Sequence, residues 1–484
     1  MHITLTQSYS VKHLSNGAAR IYISNSALLR QKGFVAGASY ETKHRENGVT
    51  LILSQAGGNK VLDTGRGETV ELRNKAVGAS FNSQSEVVAT FYQDRIELTL
   101  PEHQVQRIKR ESSLIKSLAA ERPIRKASMF SGVGTLAYRI KMGLESESIK
   151  SAMAFSADSD ALALNIQCEA NPIWQHPTRD ARAFAQDIRD ISPRNVVPVD
   201  LLEVGYPCVG QSTLCPSGLR DLDHPAVGNL FIPLCALIKA LNPAIILFEN
   251  SLPFINSKTF SFIERELKGY RFETTKINGH QHGDFEERER ICIVAVSEGL
   301  PALNLSDFRA PCETSLKRNP LATVLEDVPD QSPVWKKMTH VTKKLADSRL
   351  NFKHNLYQGN ETKIAALTAG YLSPRIGSPM ISHRNYEQNG LQRLLTAKEH
   401  ASIRDIPATL WEALRRVRDG EHPLVSKRGS TSAVQRMLGN GVSPKAWFNL
   451  SAFIGRYLKQ IRETAKWCQI EIGLKNSSAH LHPL

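Results

Sequence analysis

Four short stretches of this chain hold residue types that do chemistry when brought together. Tyr206-Pro207-Cys208 follows an extended stretch that carries Asp200 and leads into a loop rich in Gly, Ser and Thr, VGQSTLCPSG. A thiolate adds to electron-poor carbon, but an ordinary thiol titrates near about 8.5 and needs positive surroundings or a helix start to ionise at neutral pH. Most cysteines are inert buried residues, so it is position, not type, that makes Cys208 a candidate nucleophile. Glu249-Asn250 closes the apolar run AIILF. An ionisable residue there belongs either to a site or to an ion pair. Arg288 and Arg290 precede ICIVAV. Alternate residues at a strand start share one face, so both can enter one cleft, or both can stay a solvated charge cluster. Phe130-Ser131-Gly132-Val133-Gly134 supplies glycines that let a backbone approach a ligand at a helix start, where N–H groups are unpaired.

The elements that must position these groups alternate in type from Ala127 onward. SMF runs into the glycine turn and a helix. SAMAFSAD reads as a strand ending at Asp158, followed by the helical DALALNIQCEAN. VVPVDLLEV is a strand, then come a loop, a helix, the strand AIILFEN, and ERICIVAV as a closing strand. Strands alternating with helices imply an α/β fold, a Rossmann-like doubly wound sheet with helices on both faces. Such sheets bind ligands at the carboxyl ends of their strands, and an acid ending the second strand is where a nucleotide ribose is held. The glycine turn and Asp158 together point to an adenosine-containing ligand.

The chain has 484 residues and a formal net charge of +14, which suits a polyanionic partner such as nucleic acid or an acidic membrane surface. Its most apolar region, residues 228–248, is split by Lys239 and Asn242-Pro243 into a helix and a strand, so no membrane span is expected. The opening MHITLTQSYSVKH lacks the pattern of a secretory signal. Seven cysteines, an odd number without a CxxC pair, argue against a disulfide framework or a zinc ribbon, so no metal is expected. A reducing, cytoplasmic setting fits this usage.

Residues 1–100 read as a β-rich module. Ile21–Ile23 is a strand, Ser24-Asn25-Ser26 caps a short helix ended by Gly33, and hairpins turn near Asn47-Gly48 and Gln93-Asp94. The two halves are loosely parallel, as in an internal duplication. Residues 101–126 read as a helical linker whose bases Arg107, Lys109, Arg110, Lys116, Arg122, Arg125 and Lys126 form a positive face, for DNA or simply for solvent. Residues 300–390 break the strand–helix rhythm and form either an irregular domain facing a substrate or an insertion. Residues 391–484 are helical again.

The order FSGVG, SAD, YPC, FEN, RER resembles the DNA cytosine-5 methyltransferase family. RLLTAKEHASIRDIP resembles the penultimate motif of that family, with Arg393, Glu399 and Pro407 matching. LGNGVSPKAW resembles its last, with Gly439, Asn440, Val442 and Pro444 matching. The resemblance covers residues 127 to about 455. It implies a catalytic domain over 127–299, completed by 391–484, with 300–390 as the target-recognition domain. It implies S-adenosylmethionine as cofactor, held by Phe130, Gly132 and Gly134, with Asp158 at the ribose, Asp180 at the adenine amine and Asn440 beside the methionine portion. It implies double-stranded DNA as partner and a flipped-out cytosine as substrate. Cys208 would add to carbon-6, Glu249 would hold the amine and ring nitrogen 3, Arg288 would bind near the ring carbonyl and the nucleophile, and Arg290 would support the same cleft.

Some positions depart from the family pattern. Glu286 stands where Gln is usual and would bring negative charge to the cleft, weakening DNA contacts there. Ser251 stands where Val is usual, Asp158 replaces Glu, and Gly441 is unusual. The alternative readings are an RNA methyltransferase, since one branch of the family acts on tRNA, and a catalytically weak DNA-binding regulator. The N-terminal segment ISNSALLRQKGFVAGASYETKHRENGVTLILS resembles AbrB/SymE-like β modules, which implies DNA binding or self-association for it.

Overall fold

Parallel strands buried on both faces read as unbroken apolar runs, and IILFEN is such a run. Ile245–Asn250 lies inside a seven-stranded sheet whose order is Arg182–Ala185, Ser151–Asp158, Ile124–Met129, Leu201–Val204, Ile245–Asn250, Glu289–Ser297, Tyr270–Asn278. The first five are parallel, and Glu289–Ser297 runs antiparallel to both its neighbours. The computed structural model describes residues 4–478 except 83, 213–214, 351–352 and 374–376. Two compact units divide it, 1–108 and 109–484.

The doubly wound α/β expectation holds. Chain order reverses between Ile124–Met129 and Leu201–Val204, so their carboxyl ends form the switch-point crevice where ligands bind. Two apolar clusters flank the sheet. One contains Leu136, Ile140 and Leu144 of the helix Thr135–Ser146, with Trp447, Leu450, Ile454 and Leu458 of the helix Pro444–Ser478. These helices meet closely: a Cβ on Gly143 would lie 2.4 Å from Ser451 Cβ. The C-terminal helix is thereby part of the sheet's own core. The other cluster contains Leu234, Leu237 and Ile238 of the helix Phe231–Leu241 with Phe254, Phe260 and Ile263. Asn242, in a left-handed conformation, ends the first of these before Pro243, where the sequence splits its apolar run. No helix among the described residues is long and apolar enough to cross a membrane.

Two strands escape the sequence pattern. Tyr270–Asn278 is an edge strand with mostly half-exposed residues, and Arg182–Ala185 has only four residues at the other edge, so neither shows an apolar alternation. Between 300 and 390 the elements are short. Lys336–Lys337, Leu391–Arg393, Met380–Ser382 and Leu356–Tyr357 make a small sheet in that order. Leu321, Ile364, Leu367, Tyr371 and Ile381 pack with Leu395 and Ile403 into one small core.

The expected basic linker is corrected in part. Its helix is Glu102–Ala119, and residues from Ile124 on belong to the sheet. Arg110 is buried, stacks at 3.9 Å on the Tyr270 ring and donates to Ser297 Oγ and the Gly269 carbonyl. Lys126 is buried, with Nζ 2.6 Å from the Ala137 carbonyl and 3.7 Å from Glu203 Oε2. Neither can serve a DNA-facing surface.

The N-terminal unit is a closed barrel built twice from one plan. Asn59–Lys60 pairs with Ser39–Arg45 while Leu62–Asp63 pairs with Glu68–Asn74, so one stretch of chain forms both ends of the sheet. Each half runs strand, six-residue helix, hairpin: Ala19–Ile23, Ser26–Gln31, Ser39–Leu53, and Glu68–Asn74, Lys75–Ser80, Glu86–Thr99. Asn25 and Asn74 cap the two helices through their side chains, accepting from Leu28 N and Val77 N. Tyr22 and Glu71, each three residues before its cap, are direct register partners. So are Thr50 and Glu97, each three residues past its turn residue, Asn47 or Asp94. Equivalent residues facing each other at both seams require a pseudo-two-fold axis through the barrel. The duplication is thus far plainer in the pairing than in the residues.

Candidate active site

Cys208 emerges where Leu201–Val204 ends and opens a single 3-10 turn, Cys208–Gly210. Asn250, at the end of the neighbouring strand, donates from Nδ2 to the Tyr206 carbonyl at 3.1 Å and so ties the Cys208 loop to the Glu249 strand. Tyr206 is buried, stacked on Phe254 and edge-on to Phe130 at 5.5 Å. This aromatic column joins the first glycine turn to the cysteine loop. Asn250 stood within the sequence motif, yet its tethering role is visible only in the fold.

Glu249, Arg290 and Cys208 come together. Glu249 Oε1 lies 3.1 Å from Arg290 Nε, and both side chains keep partial exposure. Cys208 as a residue is exposed, yet crowding by surrounding protein is the largest influence on its thiol. That desolvation and the Glu249 charge push the thiol above the ordinary cysteine range, while Arg290 and Arg288 pull it back. The surroundings of Cys208 therefore favour the neutral thiol, through desolvation first and the Glu249 charge second, with the two arginines opposing both.

The two arginines are held differently. Arg288 is 6% exposed and spends Nη1 on the Leu367 carbonyl at 3.0 Å and Nη2 on the Gly439 carbonyl at 3.3 Å. Burial, with Arg290 and Arg404 nearby, pushes its guanidinium down to about 9. Arg290, not Arg288, is the guanidinium paired with Glu249 in the cleft. Glu286 departs from expectation. It is 1% exposed, ion-paired at 2.6 Å with the equally buried Arg404, and so presents no charge to a bound strand. Arg393 and Glu399 form a buried bidentate pair, both contacts at 2.7 Å, joining strand Leu391–Arg393 to helix Ala397–Ile403. Ser251 donates to Asn250 Oδ1 from its backbone N–H at 2.7 Å and from Oγ at 3.3 Å.

The glycine turn has the features a nucleotide-type ligand needs. Phe130 adopts φ 54°, a strained conformation for a non-glycine residue, at the strand's carboxyl end. Asp158 is anchored by Gly132 N on Oδ2 at 2.7 Å and by Asp160 N on Oδ1 at 2.8 Å, and burial raises its carboxyl above the usual range. A Cβ on Gly132 would meet nothing within 4 Å, whereas one on Gly134 would lie 2.8 Å from Asn171 Nδ2. Gly132 faces open space, and Gly134 serves packing. The last motif arrives beside them: a Cβ on Gly441 would lie 3.3 Å from Thr135 Oγ1, and Asn440 is exposed next to it.

Asp180 is not brought to this edge. It precedes Arg182–Ala185, at the amino end of a strand parallel to the others, and accepts two bonds from Arg125 at 2.9 and 3.1 Å. The carboxylate that follows the carboxyl end of that strand is Asp187, half-exposed and paired with Arg189 at 2.7 Å. Sequence reading missed it because a four-residue edge strand left the register of QDI undetected.

The C-5 cytosine-specific DNA methylase family model matches residues 124–452, more than half of the chain. The Type II methyltransferase M.Sau96I of Staphylococcus aureus is 28% identical over 188 residues, 38% of this chain and 41% of that protein. The Type II methyltransferase M.HaeII of Haemophilus aegyptius is 30% identical over 230 residues, 43% of this chain and 66% of that protein. The chain thus spans less than two thirds of these curated relatives. Among solved structures, the S. pombe Dnmt2 methyltransferase superposes with a TM-score of 0.51 over 70% of this chain and 99% of its own, at 18% identity, a likeness of fold alone. A cysteine at the switch-point edge, faced by a Glu–Arg pair and flanked by an open glycine turn, sits within this match, and the chain belongs to the C-5 cytosine-specific DNA methylase family.

Proposed function

We propose that the protein is a DNA (cytosine-5)-methyltransferase acting on a flipped-out cytosine in duplex DNA. The observation that carries this reading is the Glu249–Arg290 pair, 3.1 Å apart, with Glu249 on the strand that Asn250 ties to the Cys208 loop and the charges of Glu249, Arg290 and Arg288 bearing on the thiol. The names of the curated relatives and the net charge of +14 support the same reading.

The residues at the glycine turn fit S-adenosylmethionine. Asp158 is held in place by two backbone N–H groups with acceptor capacity left for ribose hydroxyls, and Gly132 leaves the volume beside it free. Phe130, Gly132 and Asp158 would hold the adenosine end, Asp187 would take the adenine amine in place of Asp180, and Asn440 would flank the methionine end. When bound, S-adenosylmethionine supplies the methyl group. Cys208 as thiolate adds to carbon-6 of the cytosine, forming a C–S bond and moving the ring's electron pair toward carbon-5. Glu249 accepts from the exocyclic amine and, when protonated, donates to ring nitrogen 3, which stabilises the adduct. Arg290 lies within reach of the same carboxylate and offers its remaining N–H groups to the ring carbonyl. After carbon-5 is methylated, loss of its proton returns the electron pair and expels Cys208. Flipping the base costs roughly a few kcal/mol, met by contacts outside the cleft.

For the N-terminal barrel the reading is an accessory module for an anionic partner. Lys12, Arg20 and Arg73 stand side by side across three adjacent strands, and like charges in register destabilise a sheet unless a counter-charge offsets them. Glu71 offsets Arg20 alone.

Transfer of labelled methyl groups from S-adenosylmethionine to duplex DNA of varied sequence tests the reading, with Cys208→Ser as control and tRNA as competitor. Labelled 5-methylcytosine lost in the variant is expected. Unlabelled DNA with labelled tRNA would overturn it in favour of an RNA substrate.

A further inference from the structure

Three charged side chains, two from one short stretch and one from more than a hundred residues later, converge on one peptide group. Leu367 donates its N–H to Glu286 Oε1 at 2.7 Å. Its carbonyl accepts from Arg288 Nη1 and from Arg404 Nη2, each at 3.0 Å. Glu286 Oε2 closes the ring at 2.6 Å from Arg404 Nη1. Leu367 and Arg404 are fully buried, and Glu286 is 1% exposed.

Each member reaches a different part of the site. Arg288 continues to the Gly439 carbonyl, next to Asn440. Gly439 is wedged against the chain beyond Leu367: a Cβ there would lie 2.3 Å from the Thr368 carbonyl oxygen. The Arg404 carbonyl accepts from Arg139 on the helix that follows the glycine turn. Ile364–Ala365, just before Leu367, pairs with Glu286–Glu287. Two buried guanidiniums, Arg288 and Arg404, share this space, and Glu286 is the carboxylate that meets Arg404 directly. The Gln usual in the family at this position would leave that pair of charges without it. A buried charge stripped of its partner is strongly unfavourable.

We propose that Glu286 and Arg404 form a buried charge clamp on the Leu367 peptide that holds Arg288 in place and locks the 364–371 segment to the Gly439–Asn440 turn. Glu286 is then a positioning residue for the methyl-transfer reaction, acting through Arg288 and never touching DNA. This inference rests on the proposed activity, but the clamp has a readout of its own. Arg288 draws the Cys208 thiol downward, so unseating it moves the pH midpoint of Cys208 alkylation upward even where no methyl transfer is assayed. Glu249 and Arg290 also face that thiol and stay in place as internal references.

The test uses the full chain, with Glu286→Gln, Arg404→Gln and the double variant. Iodoacetamide labelling of Cys208 is followed by mass spectrometry across pH, alongside kcat, DNA affinity and urea unfolding. Expected for Glu286→Gln are an upward alkylation midpoint and a kcat lower by about tenfold or more, with DNA affinity within about twofold. The double variant is expected to be more stable than either single variant, because it removes Glu286 and Arg404 together and leaves neither buried charge without the other. An unmoved or lowered midpoint, tighter DNA binding at unchanged kcat, or a double variant no more stable than the singles would overturn the clamp. Should the native chain label no DNA, the activity reading falls, while the alkylation and stability series still decides the clamp.

Discussion

Arg290 Nε and Glu249 Oε1 stand 3.1 Å apart on neighbouring antiparallel strands, and both charges bear on Cys208. Glu249 raises the thiol and Arg290 lowers it, so the two substitutions must act in opposite directions. Glu249→Gln is expected to lower the pH midpoint of Cys208 alkylation in the free protein, and Arg290→Gln to raise it. Peptide-resolved iodoacetamide labelling checks both, and shifts of the same sign would remove Cys208 from this charge field.

The adenine side offers a direct contrast. Asp187→Ala is expected to weaken S-adenosylmethionine binding by about tenfold, the scale of one charge-assisted hydrogen bond of about 1.5 kcal/mol. Asp180→Ala, which only releases Arg125 at the other end of the strand, is expected to leave that affinity within twofold or so of native. Calorimetric titration of both variants compares them, and the reverse ranking would restore Asp180.

Gly132 and Gly134 both have positive φ but different neighbours. Gly132→Ala meets no neighbour and adds only the left-handed backbone strain, about 1 kcal/mol, so a further loss is expected in cofactor affinity. Gly134→Ala drives a methyl group onto Asn171 and Gln167, so its main loss is expected in stability, about 1–3 kcal/mol. Binding and urea unfolding measured on the same samples separate the two effects.

Lys126 and Glu203 are buried beside each other in the sheet, at 3.7 Å. Burial lowers the lysine and raises the carboxyl, so each charge leans on the other. Glu203→Gln is expected to destabilise by about 3–5 kcal/mol, and Lys126→Met with Glu203→Met to recover most of that loss. All five tryptophans lie beyond residue 108, so their fluorescence reports unfolding of residues 109–484.

The barrel's duplication predicts equal caps. Asn25→Ala and Asn74→Ala are each expected to cost about 1 kcal/mol, nearly additively, because the helices they start are separate equivalents. Hydrogen exchange of the barrel amides provides the measurement. A loss confined to one half would show that the halves are not energetically equivalent.

What the sequence by itself determined is what local order can encode. Glycines, an acid and a cysteine stand just after apolar strands, and in a parallel sheet every such position falls on one edge. The sheet, the cleft and the family follow from that order, as do Asp158, Cys208 and Glu249. The tertiary structure alone decided the rest. Asp180 and Asp187 lie seven positions apart, and only the register of a four-residue strand separates the wrong edge from the right one. Arg288 and Arg290 look alike in sequence, yet the Leu367 and Gly439 carbonyls claim the first and leave the second for Glu249. Glu286 reads as a charge for the cleft until Arg404, 118 residues later, neutralises it. These outcomes depend on which distant groups share a buried volume, where a missing partner costs more than any local preference can repay.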